Sequence, residues 1–149
     1  MISHARVLLC VALAAWVAAA CPTVDQGESP VAPEACRPDP AQFETTVWPN
    51  AIANTADVSK SCVAEAGCHA RETGRSALRL IAKPLADMTP VDYQMNYDAV
   101  TRFLNCNTPE SSPFITKPAA GGDPHSGGDL WQLGDEPELT VEKWIAGTL

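Results

Sequence analysis

The first twenty residues have the anatomy of a secretory signal, and this limits how the rest of the chain can be held together. Arg6 gives a short positive start, residues 7–17 are an almost unbroken apolar run, and residues 18–20 are alanines that precede Cys21. The apolar run is too short and too poorly flanked to be a membrane-spanning helix. We therefore predict that residues 1–20 are removed on export and that the mature chain folds in an oxidising compartment, where free thiols are uncommon.

The residues before Cys21 allow two processing routes. Three alanines suit an ordinary signal peptidase, while small residues before a cysteine resemble a bacterial lipobox, with Ala18 where leucine is usual. Cys10 leaves with the signal, and five cysteines remain: Cys21, Cys36, Cys62, Cys68 and Cys106. A lipid on Cys21 leaves four cysteines that can pair, whereas an unmodified Cys21 leaves an odd thiol. We therefore favour a lipoprotein attached to a membrane of the cell envelope, on the periplasmic side or at the cell surface.

The mature chain is strongly acidic. Removing residues 1–20 takes away Arg6 and no acid, so nine Lys and Arg remain against eighteen Asp and Glu, a formal charge of −9. Such a protein repels phosphate backbones, which argues against nucleic acid as a partner and favours a basic protein. The 129 residues left after cleavage suit one domain.

Composition divides the mature chain into a tether and a domain. Residues 21–38 mix Pro, Gly, Ser and acids with little that could form a core, so we predict a flexible tether behind the lipid. Residues 39–149 are predicted to form the domain. Asp39 and Pro40 are an N-cap followed by a proline at the first helical position, and they predict a first helix that is interrupted at Pro49.

Two further helices follow in the domain. Apolar residues at helical spacing predict one helix that starts at Thr89 and ends near Asn105, and another that starts at Asp135 and stops at Gly147. Residues 107–134 are rich in Pro, Gly, Ser and Asp and are predicted to be loop with brief ordered turns. Because no strong strand alternation is present, the predicted class is all-α with long Gly/Pro-rich loops.

The most informative segment runs from Cys62 to His69. A cysteine followed directly by histidine is how a c-type haem site ends: two thiols form thioethers to the haem, and the histidine ligates the iron. The usual spacing puts two residues between the cysteines, and here five residues separate Cys62 from Cys68. Two other interpretations stay open, namely a plain disulfide between Cys62 and Cys68 and a zinc or copper site.

Further motifs surround this segment in a set order. They are an apolar stretch ending in Trp-Pro at residues 43–49, a leucine-containing run at 77–80, Pro-x-x-Ser-x-hydrophobic-hydrophobic-x-Lys-Pro at 109–118, His-x-Gly-Gly at 125–128 and Trp-Ile-x-Gly at 144–147. Together they cover roughly 105 residues. In this order the motifs resemble the bacterial cytochrome c-like domains found in planctomycetes and related groups.

The resemblance implies a small cytochrome c-like helical domain that binds haem c. Cys62 and Cys68 would carry the haem, His69 would be the proximal ligand of the iron, and His125 would be the distal ligand from the loop before the last helix. Glycines beside His125 suit a backbone that approaches a flat macrocycle closely. The side chains expected to pack around the haem are Phe43, Trp48, Tyr97, Phe103 and Trp144.

The resemblance also implies electron transfer rather than catalysis. The expected partner is a redox protein or a membrane respiratory component, and the acidic surface would suit a basic one. Met88 and Met95 compete with His125 as distal ligands. The chain offers no paired carboxylates with a defensible geometry and no serine or cysteine nucleophile with a convincing base, so we do not expect an enzyme.

In a compact cytochrome c-like fold the ends that carry Cys36 and Cys106 can meet, so a disulfide between these two cysteines is expected. Some members of the family keep the fold and lose the haem, and their other two cysteines then form a disulfide. In that case other pairings of the four cysteines stay open. The alternative function is therefore a haem-free, disulfide-stapled lipoprotein with a binding or structural role.

Overall fold

The computed structural model of the protein describes residues 36–63, 69–70, 76–125 and 127–149. Across these ranges the chain forms helices joined by loops and contains no β-strand. None of the helices in this part of the chain is long and apolar enough to cross a membrane. The prediction of a small helical domain is thus confirmed for these residues, while its all-α, cytochrome c-like assignment stays a prediction. The signal segment and Cys21 lie outside the described residues.

The first helix, α1, combines one α-helical turn, Pro40–Gln42, with a π-helix, Phe43–Ile52. Asp39 caps it as predicted, because its Oδ1 accepts a hydrogen bond of 2.8 Å from the amide of Ala41. The predicted interruption at Pro49 is wrong, since the helix runs on to its end at residue 52. Proline has no backbone N–H, so the helix lacks one hydrogen bond at Pro49, but the burial of side chains on both sides of it outweighs this loss. The fully buried side chains are Phe43, Val47, Trp48, Ala51 and Ile52.

The second long helix, α2, is Pro90–Thr101. It begins where predicted, with a capping box in which the Thr89 hydroxyl accepts from the Asp92 amide and the Asp92 carboxylate accepts from the Thr89 amide. It ends before the predicted boundary near Asn105. The last amides bond only three residues back, from Phe103 to the Val100 carbonyl at 2.9 Å, so the chain leaves the helix in a tight turn.

The remaining elements are short until the last helix. Three 3₁₀ turns occur at Val58–Lys60, Leu85–Asp87 and Pro109–Ser111, followed by the short helix α3, Pro113–Thr116, and by α4, Glu136–Ile145. Gly147 ends α4 as predicted: its φ of 70° is left-handed, and the amide of Thr148 donates to the Lys143 carbonyl at 2.8 Å. Isolated parallel bridges join Ala70 to Leu80 and Ala119 to Trp131.

An aromatic cluster of Phe43, Trp48, Tyr97 and Trp144 joins α1, α2 and α4. The ring of Phe43 lies 5.4 Å from that of Trp144, 5.7 Å from that of Tyr97 and 6.1 Å from that of Trp48. Edge-to-face and tilted contacts at these distances are favourable for aromatic rings. The three helices therefore share one core.

The first described residues are tied firmly to this core. Cys36 is joined to Cys106 by the expected disulfide, with 5.3 Å between their Cα atoms. The Tyr97 hydroxyl donates to the carbonyl of Pro38 at 2.7 Å, and the Trp144 indole N–H donates to the Asp39 carbonyl at 2.8 Å. Residues 36–38, which the sequence assigned to the tether, are thus packed on the domain.

Candidate functional site

His69 is held in part through its backbone. The amide of Leu80 donates to the carbonyl of His69 at 2.8 Å, beside the bridge between Ala70 and Leu80. Leu80 is fully buried and Leu78 is 8% exposed, so these two side chains anchor residues 78–80 in the core.

The imidazole of His69 is held at its Nδ1 atom. Nδ1 lies 2.6 Å from the hydroxyl oxygen of Ser76 and 3.3 Å from the carbonyl oxygen of Leu78, and the Ser76 hydroxyl also donates to that carbonyl at 2.7 Å. Burial lowers the pKa of His69 below 6.5, the hydrogen bond to Leu78 opposes this, and the nearby His125 and Arg79 add to the lowering. The neutral imidazole, which is the form that ligates metals, is therefore favoured.

His125 is held in the same way by backbone alone. Its Nδ1 lies 2.9 Å from the carbonyl oxygen of Gly128, and the amide of Gly128 donates back to the carbonyl of His125 at 2.9 Å. Gly128 has a left-handed φ of 77°, which favours glycine. A methyl group on Gly127 would lie only 3.0 Å from Cε1 of His125. Both glycines of the motif thus have a steric reason to be there.

The two imidazoles form a histidine pair, defined as His69 and His125. Their ring centres lie 5.9 Å apart and their planes differ by 12°. The two residues are far apart in the chain, and the fold brings their rings close together. Of the competing methionines, Met95 is 40% exposed on α2, and Met88 is partly buried against the core.

Cys62 is placed by the end of α1. Its amide donates to the carbonyl of Ile52 at 2.9 Å, the neighbouring Ser61 hydroxyl donates to the same carbonyl at 3.3 Å, and the Cys62 residue is only 4% exposed. Cys68 lies outside the described residues. The relation of Cys62 to Cys68, whether as thioether ligands or as a disulfide, therefore stays a prediction.

The histidine pair leaves one ring nitrogen of each imidazole for a further partner. With each Nδ1 beside a carbonyl oxygen, Nε2 is the atom left to ligate, as is usual for metal-binding histidines. Among the described residues, no group of three or more His, Cys, Asp and Glu could hold a metal ion.

Two residues of interest were missed from the sequence. Ser76 contacts His69 but stands in no motif. Trp131 is fully buried against Phe114, with ring centres 6.3 Å apart, and its indole N–H, like that of Trp48, has no hydrogen-bond partner in the part of the chain described here. The apolar pair Leu130-Trp131, standing alone in a Gly- and Asp-rich stretch, was the signal that could have identified it.

The fold and site together define a small helical domain with a histidine pair. Comparison of the chain with models of known protein families, with curated proteins and with solved structures finds no match. Any function must therefore be argued from the residues of this chain.

Proposed function

We propose that the exported protein is a c-type cytochrome-like lipoprotein that transfers electrons through a covalently bound haem. The observation that carries the proposal is the approach of His69 and His125, whose nearly parallel rings have centres 5.9 Å apart. With Nδ1 of each ring engaged by the protein, both imidazoles could offer Nε2 to one iron. The same nitrogen of each ring, Nδ1, lies beside a backbone carbonyl, so both imidazoles have the same atom left for a ligand.

In this proposal Cys62 and Cys68 hold the haem through thioethers, and His69 and His125 hold its iron. When bound, the haem supplies one-electron redox chemistry at the iron. The carbonyls of Leu78 and Gly128 orient the two imidazoles through Nδ1. A pair of histidines favours a lower reduction potential than histidine with methionine would.

The charge of the chain also suits electron transfer. The formal charge of −9 after removal of the signal would steer a basic redox protein or membrane respiratory component toward the domain. A lipid on Cys21 would keep the domain close to such a partner at the membrane.

The test is to produce the protein together with an active haem-attachment system and to measure covalent haem. We expect a Soret band that survives acid-acetone extraction in the wild type and is lost in Cys62→Ser, Cys68→Ser and His69→Ala. In His125→Ala the haem should stay attached, while the iron shifts toward high spin and binds added imidazole. The matched control is the double variant Cys36→Ala/Cys106→Ser, which removes the other two cysteines of the domain but should retain the haem.

A wild-type protein without haem under these conditions would overturn the proposal. A second candidate function would then stand, a haem-free lipoprotein with a binding or structural role. Two observations favour it: large side chains, including those of Trp48, Trp131 and Trp144, already fill the described core, and the Cys36–Cys106 disulfide already staples it. Peptide mapping under non-reducing conditions should then recover Cys62 linked to Cys68.

A further inference from the structure

The Ser76 hydroxyl, which the proposed function does not use, closes a triangle with Nδ1 of His69 and the carbonyl oxygen of Leu78. The Ser76 hydroxyl oxygen lies 2.6 Å from Nδ1 of His69 and 2.7 Å from the carbonyl oxygen of Leu78, and the third side, from Nδ1 to that carbonyl, is 3.3 Å. The two short sides both belong to Ser76. Since hydrogen bonds weaken as they lengthen beyond about 3 Å, Ser76 rather than Leu78 is the main partner of Nδ1.

The hydrogens of this triangle can be assigned in two ways. If Nδ1 is protonated, its N–H donates to the Ser76 oxygen and the Ser76 O–H donates to the Leu78 carbonyl, so every group is satisfied. If Nδ1 is bare, the Ser76 O–H turns to Nδ1, and the Leu78 carbonyl receives a hydrogen from neither group. Leu78 is buried, and a buried carbonyl that loses its hydrogen-bond donor is destabilising. The first arrangement is therefore favoured.

The second arrangement corresponds to a serine nucleophile with a histidine base. It requires the hydroxyl proton to point at Nδ1, and the 2.7 Å contact with the Leu78 carbonyl competes for that same proton. The triangle thus favours an orienting role for Ser76 over a catalytic one.

We propose that Ser76 is a positioning residue that holds His69 in its Nδ1-protonated tautomer, so that Nε2 carries the lone pair of that ring. The tautomer follows from the triangle itself, and only its use, ligation of a haem iron, rests on the proposed function. His125 obtains the same tautomer from the Gly128 carbonyl at 2.9 Å. In His69 the contact from Nδ1 to the Leu78 carbonyl is longer, at 3.3 Å, so His69 needs Ser76 to hold the same tautomer.

The test is the tautomer of His69 in the full mature chain, labelled with ¹⁵N and produced without haem attachment. Only His69 and His125 remain after removal of the signal, so long-range proton–nitrogen spectra resolve both rings. We expect Nδ1–H at His69 in the wild type, a mixture with Nε2–H in Ser76→Ala, and a return to Nδ1–H in Ser76→Thr, which restores the hydroxyl. The control Ser111→Ala removes a serine hydroxyl far from the pair in the hydrogen-bond network and should leave both rings unchanged.

A second measurement covers the haem-loaded protein. Donation from Nδ1–H makes an imidazole a stronger ligand for oxidised iron, so Ser76→Ala should raise the reduction potential and Ser76→Thr should restore it. An Nε2–H tautomer in the wild type, or a Ser76→Ala spectrum identical to the wild type, overturns the role of Ser76. A protein that carries no haem but shows these tautomers overturns the proposed function alone, so the two failures are distinguishable.

Discussion

The Cys36–Cys106 disulfide should be the largest single contribution to the stability of the domain. Its two cysteines are 70 residues apart in sequence, and opening a loop of that length adds entropy to the unfolded chain. In the chain-entropy model this is worth about 4 kcal/mol. Small domains are typically stable by about 5–15 kcal/mol, so the double variant Cys36→Ala/Cys106→Ser should lose a large part of the free energy of unfolding.

The competing explanation is that the disulfide only fastens residues 36–39 to the surface. Other contacts already do this, including the hydrogen bonds from Tyr97 and Trp144 and the ion pair of Arg37 with Asp98 at 2.7 Å. The side chains of the ion pair are 45% and 42% exposed, so their interaction is worth about 0–1 kcal/mol. If the disulfide only fastened this segment, its contribution to the free energy of unfolding would be similarly small.

Urea unfolding of the purified mature protein, followed by tryptophan fluorescence, separates the two accounts. The double cysteine variant should unfold with a free energy about 4 kcal/mol below the wild type. The control Arg37→Ala, which loosens the same segment but keeps the cross-link, should lose no more than about 1 kcal/mol. Equal losses in the two variants would refute the entropic account and support simple fastening.

Three further predictions concern pH, the loop glycines and the anchor. Hydrogen bonds from Lys83 and Thr89 lower the pKa of Asp92 from 3.8 to about 2, so its carboxylate stabilises the fold above pH 4 and this contribution is lost as the pH falls toward 2. Asp92→Asn should therefore flatten the dependence of the melting temperature on pH over that range. An unchanged slope would contradict this. Gly127→Ala should displace the ring of His125 and shift its imidazole resonances, because the new methyl would lie 3.0 Å from Cε1 of that ring. Unshifted resonances would mean that the loop backbone moves and the ring does not. Cys21→Ser should release the protein from the membrane fraction. Unchanged partitioning with unchanged mature mass would contradict the prediction of a lipid on Cys21.

Helix starts were predictable because caps are local. Asp39 and Thr89 were expected to begin helices, and each side chain does accept an amide hydrogen bond from two or three residues further on. Helix continuity and helix ends were less predictable. Pro49 was expected to interrupt α1, yet α1 continues because its buried side chains lie on both sides of the proline. The end of α2 depended likewise on where Phe103 and Leu104 turn toward the core.

The amino-acid sequence by itself determined which residues can carry chemistry, since only two histidines and five cysteines lie beyond residue 20. Its motif order also named His69 and His125 as the ends of one site. Only the tertiary structure decided that the two rings lie 5.9 Å apart and nearly parallel, and that Ser76 contacts Nδ1 of His69. Such contacts join residues from separate segments, so they depend on how the backbone paths pack rather than on any local hydrogen bond or spacing.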